Sequence, residues 1–358
     1  MLKCTYQFSP LDKLDDLESI AILKAVTKAH KPLAVLQGLL ISLPNPNLLI
    51  STLALQEAKD SSAIENIITT HDDLYRSSYA TSQFTSAAAK EVHSYAEALR
   101  AGLDEVTRTG LLTNRTIGTI QETIEHNDAG FRKQGGTQLK NAQTGEVVYT
   151  PPQLADEILN LMSDLEAFVN NNDLSDYDEL IKMALIHHQF ESIHPFYDGN
   201  GRTGRILNIL YLNKQGLLDT PVLYLSKFLN KNKTEYYKLL QQVRDTGSWE
   251  QWILFMLKAV QVTSEDTLQT IRSLLALMER QSADIKSKLP KIYSYELLTN
   301  LFEHPYTKVD FVSAATGVHN NTARNHLNLL VDIGIVHKNV VGKEHYYINT
   351  ELFELLQK

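Results

Sequence analysis

Residues 194–205 read His194-Pro195-Phe196-Tyr197-Asp198-Gly199-Asn200-Gly201-Arg202-Thr203-Gly204-Arg205. His194 titrates near neutrality and stands four residues before Asp198, a hard oxygen ligand of the kind Mg²⁺ accepts beside substrate phosphates. Gly199-Asn200-Gly201 permits backbone angles closed to other residues, and Arg202 opens the apolar stretch Ile206 to Leu212, which predicts a helix. A loop running into a helix start leaves successive N–H groups pointing outward, a concave anion site that the helix dipole reinforces. Arg202 and Arg205 are three apart, so helical spacing puts them on roughly one face, where forked donors can grip the same anion. A base, a metal ligand and a phosphate cradle in one turn suit nucleotidyl or phosphoryl transfer. Taken singly, each has a plainer reading: a structural histidine, an ordinary turn, solvated arginines. Their joint occurrence is what points to an active site.

The run matches every fixed position of HPFx(D/E)GN(G/K)RxxR, and so resembles the signature of the Fic family, protein adenylyltransferases. The resemblance implies Mg²⁺-dependent transfer of AMP from ATP to a Ser, Thr or Tyr hydroxyl of a protein, this one included, with release of pyrophosphate. His194 is then the general base and Asp198 the Mg²⁺ ligand. Gly199, Asn200, Gly201, Arg202, Thr203, Gly204 and Arg205 bind the ATP phosphates, and Phe196 anchors the loop. Upstream, Ser61-x-x-x-Glu65-Asn66 resembles the family's (S/T)xxxE(G/N) inhibitory motif. Its residues alone read first as a helix N-cap with an acid in the first turn. The resemblance instead implies that Glu65 pairs with Arg205 and turns ATP away from in-line attack. It also places Tyr237 near the adenine or ribose. Seven residues on, where some Fic proteins carry asparagine, stands Arg244. Between Gly130-Phe131-Arg132 and Pro151-Pro152 the family carries a hairpin flap, here near 134–150, that docks the target by strand addition. Homodimerisation is a further family expectation.

Around this site the chain has 358 residues, 43% of them hydrophobic, enough for two or three domains with real cores. There is no apolar run of about 18 residues and no secretory segment near the N-terminus, so no membrane partner and a cytoplasmic location are expected. One cysteine, Cys4, excludes an internal disulfide and a Cys-rich zinc site. A net charge of −8 argues against nonspecific nucleic-acid binding by the whole chain.

Helical periodicity covers Leu11–His30, Leu33–Leu40 and Leu48–Ala58, with Pro44 and Pro46 as breakers, then about 83–108 and 114–125. Glu146-Val147-Val148-Tyr149 has strand character. Pro151 and Pro152 suit a helix entry, with Leu154, Ile158, Leu161, Leu165 and Phe168 on the core face. Leu180–Phe190 is helical, and a long helix spans about 248–280. His71-Asp72 and the trio His187, His188 and His194 are weak metal candidates, since adjacent helical histidines diverge. From 294 on, the order helix, helix, turn, helix, hairpin is that of a winged helix-turn-helix, with Asn320, Asn321, Thr322, Arg324 and Asn325 facing outward. Eight Lys/Arg against seven Asp/Glu over 286–358, a net of +1, is thin for DNA; protein docking or dimer support is the stronger expectation.

The expected fold is mainly α: a Fic-type helical bundle with a small β-hairpin flap, plus a C-terminal winged helix-turn-helix-like α+β domain. The expected division is an N-terminal helical region, 1–83, with the inhibitory helix near 61–66, a catalytic core, 84–280, a linker, 281–289, and the winged domain, 290–358. Rival functions are removal of AMP with Glu65 positioning a water, a nucleotide-sensing DNA-binding regulator, and phosphoryl or phosphocholine transfer.

Overall fold

The computed structural model describes residues 4–14, 16–41, 47–77, 84–141, 144–341 and 343–357, with the backbone alone over 47–52. Two compact units emerge, one drawn from residues 1–43, 54–68 and 91–265, the other from 44–53, 69–90 and 266–358. Both therefore take part of the expected N-terminal region, and the first ends before residue 280. Composition marks where a chain is polar, whereas a unit is set by which faces pack.

In chain order the helices are α1 (Ile20–Ile41), α2 (Asn47–Ile64), α3 (His71–Arg76), α4 (Ala87–Thr109) and α5 (Asn114–Glu125). A hairpin of β1 (Leu139–Lys140) and β2 (Val147–Tyr149) follows, then α6 (Ala155–Asn170), α7 (Glu179–Ile193), α8 (Asn200–Lys214), α9 (Ser226–Lys231), α10 (Lys233–Thr246) and α11 (Glu250–Lys288). The opening helix begins at Ile20, not Leu11, where a short 3-10 turn (Leu11–Lys13) stands instead, and it continues through Pro32. Pro44, Pro46 and residue 83, where a helix start was expected, lie outside the described residues.

The centre of the first unit is α7. Every residue from Leu180 to Ile193 is buried, the polar ones included. It packs against α6 and α8, and α8 is itself buried from Arg202 to Leu212. The 194–199 turn thus joins two core helices and is fixed at both ends. At α6 the expected entry at Pro151 is four residues early: Pro151, Pro152 and Gln153 stay outside the helix and buried. Gln153 explains this, because its Oε1 accepts from Gly136 N at 2.7 Å while its Nε2 donates to Thr137 O and Pro151 O at 3.1 and 2.6 Å. Leu154 is left exposed ahead of α6, and the buried face is Ile158, Met162, Leu165, Phe168 and Val169. The hairpin is antiparallel, with Leu139 opposite Tyr149 and Lys140 opposite Val147.

The second unit continues through α12 (Tyr295–Glu303), β3 (Tyr306–Thr307), α13 (Val309–Thr316), α14 (Asn320–Asp332), β4 (His337–Val341), β5 (Glu344–Ile348) and α15 (Thr350–Leu356). Its antiparallel sheet has the order β3-β5-β4. Residues 281–288, expected as linker, are the last turns of α11: no glycine or proline interrupts them before Pro290. Strand β3, of two residues, is too short to show a period of two in sequence. Helix α15 is capped by Asn349, whose Oδ1 accepts from Leu352 N at 3.3 Å. No helix among the described residues is long and apolar enough to cross a membrane.

Candidate active site

Helix α7 stops at His194, which takes a left-handed conformation (φ 49°, ψ 59°) and donates its N–H to Phe190 O at 2.9 Å. Buried Arg132 braces the turn that follows. Its Nε donates to His194 O at 2.8 Å and one terminal nitrogen to Pro152 O and Ile193 O at 3.0 and 3.4 Å, while its backbone N–H donates to Pro195 O at 2.8 Å. The Gly-x-Arg element expected to flank the flap therefore positions the signature turn. Phe196 is fully buried against Phe131, ring centroids 5.1 Å apart. Asn200 closes the loop: its Oδ1 accepts from Phe196 N and its Nδ2 donates to Phe196 O, both at 2.8 Å. With its side chain so engaged, Asn200 holds the loop closed and leaves its backbone N–H at the helix start.

Burial, then the charges of Arg132 and Arg244, push the His194 pKa down to about 3. The Glu191 carbonyl pulls the other way, without completing a hydrogen bond to the buried Nδ1. His194 is thus a neutral imidazole at pH 7, able to accept a proton. Asp198 is exposed, and its Oδ1 accepts from Gly199 N at 2.8 Å. Among the described residues no cation pairs with it. One such carboxylate, completed by phosphate oxygens and water, is a donor set that Mg²⁺ accepts, so Asp198 fits that ion. The histidine clusters do not: no group of three or more candidate ligands exists among the described residues. His187 instead bonds Tyr236 Oη and Gly204 O, at 2.9 and 3.1 Å, and His188 bonds Leu240 O at 3.1 Å.

Helix α8 begins at Asn200, two residues before the expected Arg202, after Gly199 in the left-handed region (φ 79°). Thr203 N is already used, donating to Gly199 O at 2.9 Å. Its buried hydroxyl has no partner among the described residues. A side chain on Gly204 would meet Glu191 Oε1 at 2.7 Å, so glycine lets α7 and α8 close.

The two arginines diverge. Arg202 donates to Glu125 Oε1 at 2.6 Å and Glu91 Oε2 at 3.1 Å. Arg205 donates through Nε to Ser61 Oγ at 2.7 Å, and through one terminal nitrogen to Ser61 O at 3.0 Å and Glu65 Oε1 at 2.8 Å. Three residues advance a helix by roughly 300°, and the remaining 60° or so is enough for each guanidinium to find its own acid. Arg202 faces two carboxylates, and Arg205 a serine and a third carboxylate.

Ser61 lies in the last turn of α2, and Glu65 in the turn just past its end. Ile67 N donates to Ser62 O at 3.0 Å, and Asn66 is left-handed (φ 65°) with its Oδ1 accepting from Lys233 Nζ at 3.1 Å. The N-cap reading of this segment is overturned; it is a helix C-terminus. A Cβ on Gly201 would collide with Glu65 Oε1, so the carboxylate sits over the first turn of α8, where a helix start attracts anions. Burial is the largest influence on Arg205 and would lower its pKa, but Glu65 and, to a smaller degree, Tyr236, Tyr237 and Tyr95 together outweigh it, and the net shift is upward. Tyr237, on α10, is partly exposed with its ring edge-on to Tyr236 at 5.0 Å. Arg244 lies 4.0 Å over the Tyr149 ring and donates to Ser192 Oγ at 2.9 Å. The acids that receive Arg202 carried no local signal, being 77 and 111 residues away in sequence.

Three family models match the chain: Fic/DOC family N-terminal over residues 23–104, Fic/DOC family over 111–212, and the C-terminal domain of the SoFic-like protein adenylyltransferases over 277–352. The chain belongs to the Fic/DOC family. In this Fic chain the 111–212 match holds the whole run from His194 to Arg205, and the N-terminal match holds Ser61 and Glu65. Protein adenylyltransferase Fic of Drosophila erecta is 31% identical over 106 residues, and protein adenylyltransferase fic-1 of Caenorhabditis briggsae 27% over 107. Each match covers 30% of this chain, and the chain spans only 20% of the length of these relatives. In fold, the chain is similar to a Fic family protein from Desulfovibrio desulfuricans, with TM-score 0.61 and 18% identity over 95% of this chain and 98% of the other. It is also similar to Fic-1 from C. elegans, with TM-score 0.53 and 17% identity over 70% and 74%.

Proposed function

We propose that the chain is a protein adenylyltransferase that moves AMP from ATP to a Ser, Thr or Tyr hydroxyl of a target protein and is held in check by Glu65. One observation carries the reading: a neutral base, His194, stands beside a helix-start anion cradle whose Arg205 already holds a carboxylate. Its Nε2 takes the proton of the target hydroxyl as that oxygen forms a bond to the α-phosphorus, while the bond to the pyrophosphate oxygen breaks. The N–H groups of Gly201 and Arg202, the start of α8 and, once Glu65 leaves, the Arg205 guanidinium stabilise the phosphate charge. Asp198 would hold Mg²⁺, which supplies Lewis-acid neutralisation of the phosphates when bound. Tyr237 borders the adenosine, and the hairpin offers the exposed Val147 and Val148 to an extended target segment. Glu65 competes for Arg205 with the γ-phosphate, which leaves ATP in a pose unsuited to in-line attack. In the second unit, Asn320, Asn321, Thr322, Arg324 and Asn325 are exposed on α14, and the near balance of charge favours protein docking or dimer support over DNA.

The test compares wild type, Glu65→Gly and His194→Ala, with α-labelled or γ-labelled ATP and Mg²⁺, alone and with cell lysate. Protein labelling from the α position only, strongest in Glu65→Gly and absent in folded His194→Ala, is expected. Labelling from γ would mean a kinase-like use of the cradle, and release of AMP from a modified target would mean the reverse reaction.

A further inference from the structure

Two turns before Glu65 on α2 lies Glu57, buried at 2% exposure and part of neither signature nor inhibitory motif. Three donors converge on its carboxylate: Tyr95 Oη at 3.0 Å and Ser226 Oγ at 2.5 Å on Oε1, and Ser226 N at 3.1 Å on Oε2. Tyr95 belongs to α4 and Ser226 opens α9, so one side chain of α2 ties it to two other elements of the first unit. Glu57, Ser61 and Glu65 follow at intervals of four residues, the spacing of one helix face. The first bonds Tyr95 and Ser226, the second and third bond Arg205.

Few large apolar side chains are buried at this end of α2. Its buried positions from residue 54 on are Ala54, Glu57, Ala58, Ser61, Ser62 and Ile64, of which only Ile64 is a large apolar side chain. The buried Ser62 hydroxyl has no hydrogen-bond partner among the described residues, a cost of the docked state. A helix end docked through alanines and serines gains little from apolar burial and depends on its polar contacts.

We infer that Glu57 is a positioning residue for the inhibition: its bonds to Tyr95 and Ser226 anchor the end of α2, and so hold Glu65 on Arg205. The inference rests on the inhibitory reading of Glu65 given above. It adds that restraint is exerted from a second point, outside the nucleotide site, and that loosening this point activates an enzyme whose Glu65 is intact.

The experiment measures protein labelling from α-labelled ATP in the full chain for Glu57→Ala, Glu57→Gln, Ser226→Ala and Tyr95→Phe, each alone and combined with Glu65→Gly, with melting temperatures alongside. Glu57→Ala should raise labelling roughly tenfold, the factor that about 1.4 kcal/mol of lost attachment gives. Glu57→Gln keeps an acceptor oxygen and should restore part of the inhibition. Ser226→Ala and Tyr95→Phe should activate less, and they keep the test open if Glu57→Ala does not fold. In the Glu65→Gly background none of the four should raise labelling further, because nothing remains to be released. Labelling that stays at the wild-type level in all four variants, while Glu65→Gly is active, overturns the role of Glu57 alone. Lower labelling in both backgrounds makes Glu57 merely structural and also overturns it. An inactive Glu65→Gly overturns the inhibitory reading itself, and the inference with it.

Discussion

His194 owes its neutral state at pH 7 to burial. A histidine with its usual pKa would lose half its base form near pH 6.5, whereas His194 is depressed to about 3. Labelling by the Glu65→Gly protein should therefore show no inflection near pH 6.5, and a loss of activity centred there would contradict the environment described. The folded pKa lies below the unfolded one, so the stability His194 contributes is complete above 6.5 and is lost as pH falls toward 3. Glu191 behaves in the opposite sense. Burial raises its pKa from 4.5 to about 7, so its contribution is complete below 4.5 and disappears as pH rises through 7. Between about pH 5 and about pH 8, Glu191→Gln should lose less melting temperature than wild type. Parallel curves for the two proteins would show that Glu191 is not held neutral.

At the scale of elements, the signature turn is held from outside by Arg132 as firmly as by its own glycines. Arg132→Ala would leave the carbonyls of Pro152, Ile193 and His194 without their donor, at a cost of about 2–4 kcal/mol. A lower melting temperature together with at least a tenfold loss of labelling in the Glu65→Gly background is expected; an unchanged rate would separate the turn's geometry from catalysis. Much of this layer was legible in sequence. The helix at α7, the glycine-rich turn into α8 and the strand character of 146–149 needed only periodicity and turn chemistry. What escaped were choices between equally local readings. The spacing of Ser61 and Glu65 suits either end of a helix, and only the left-handed Asn66 and the packing past Ile64 decide for the C-terminus. The partners of Arg202, and Glu57 itself, depend on which distant acids the fold brings in, and no local pattern encodes that.

For the molecule as a whole, the balance of charge in the second unit separates two kinds of partner. A labelled DNA duplex titrated with the full chain at physiological salt should give no saturable shift; binding that falls steeply with salt and is lost in Arg324→Ala would restore the DNA reading. Domain boundaries were the least legible feature, because the polar run at 281–288 reads as a break and folds as the end of α11. The docked end of α2 has one further consequence. Apolar hydration dominates the heat capacity of conformational change, and this contact surface consists largely of alanines, serines and one carboxylate. Release of such a segment would be almost silent in heat capacity. On the proposed inhibition, the equilibrium between restrained and active forms would then follow a nearly straight van't Hoff line whose slope is set by the polar contacts broken, where a latch made of leucines would give a curved one.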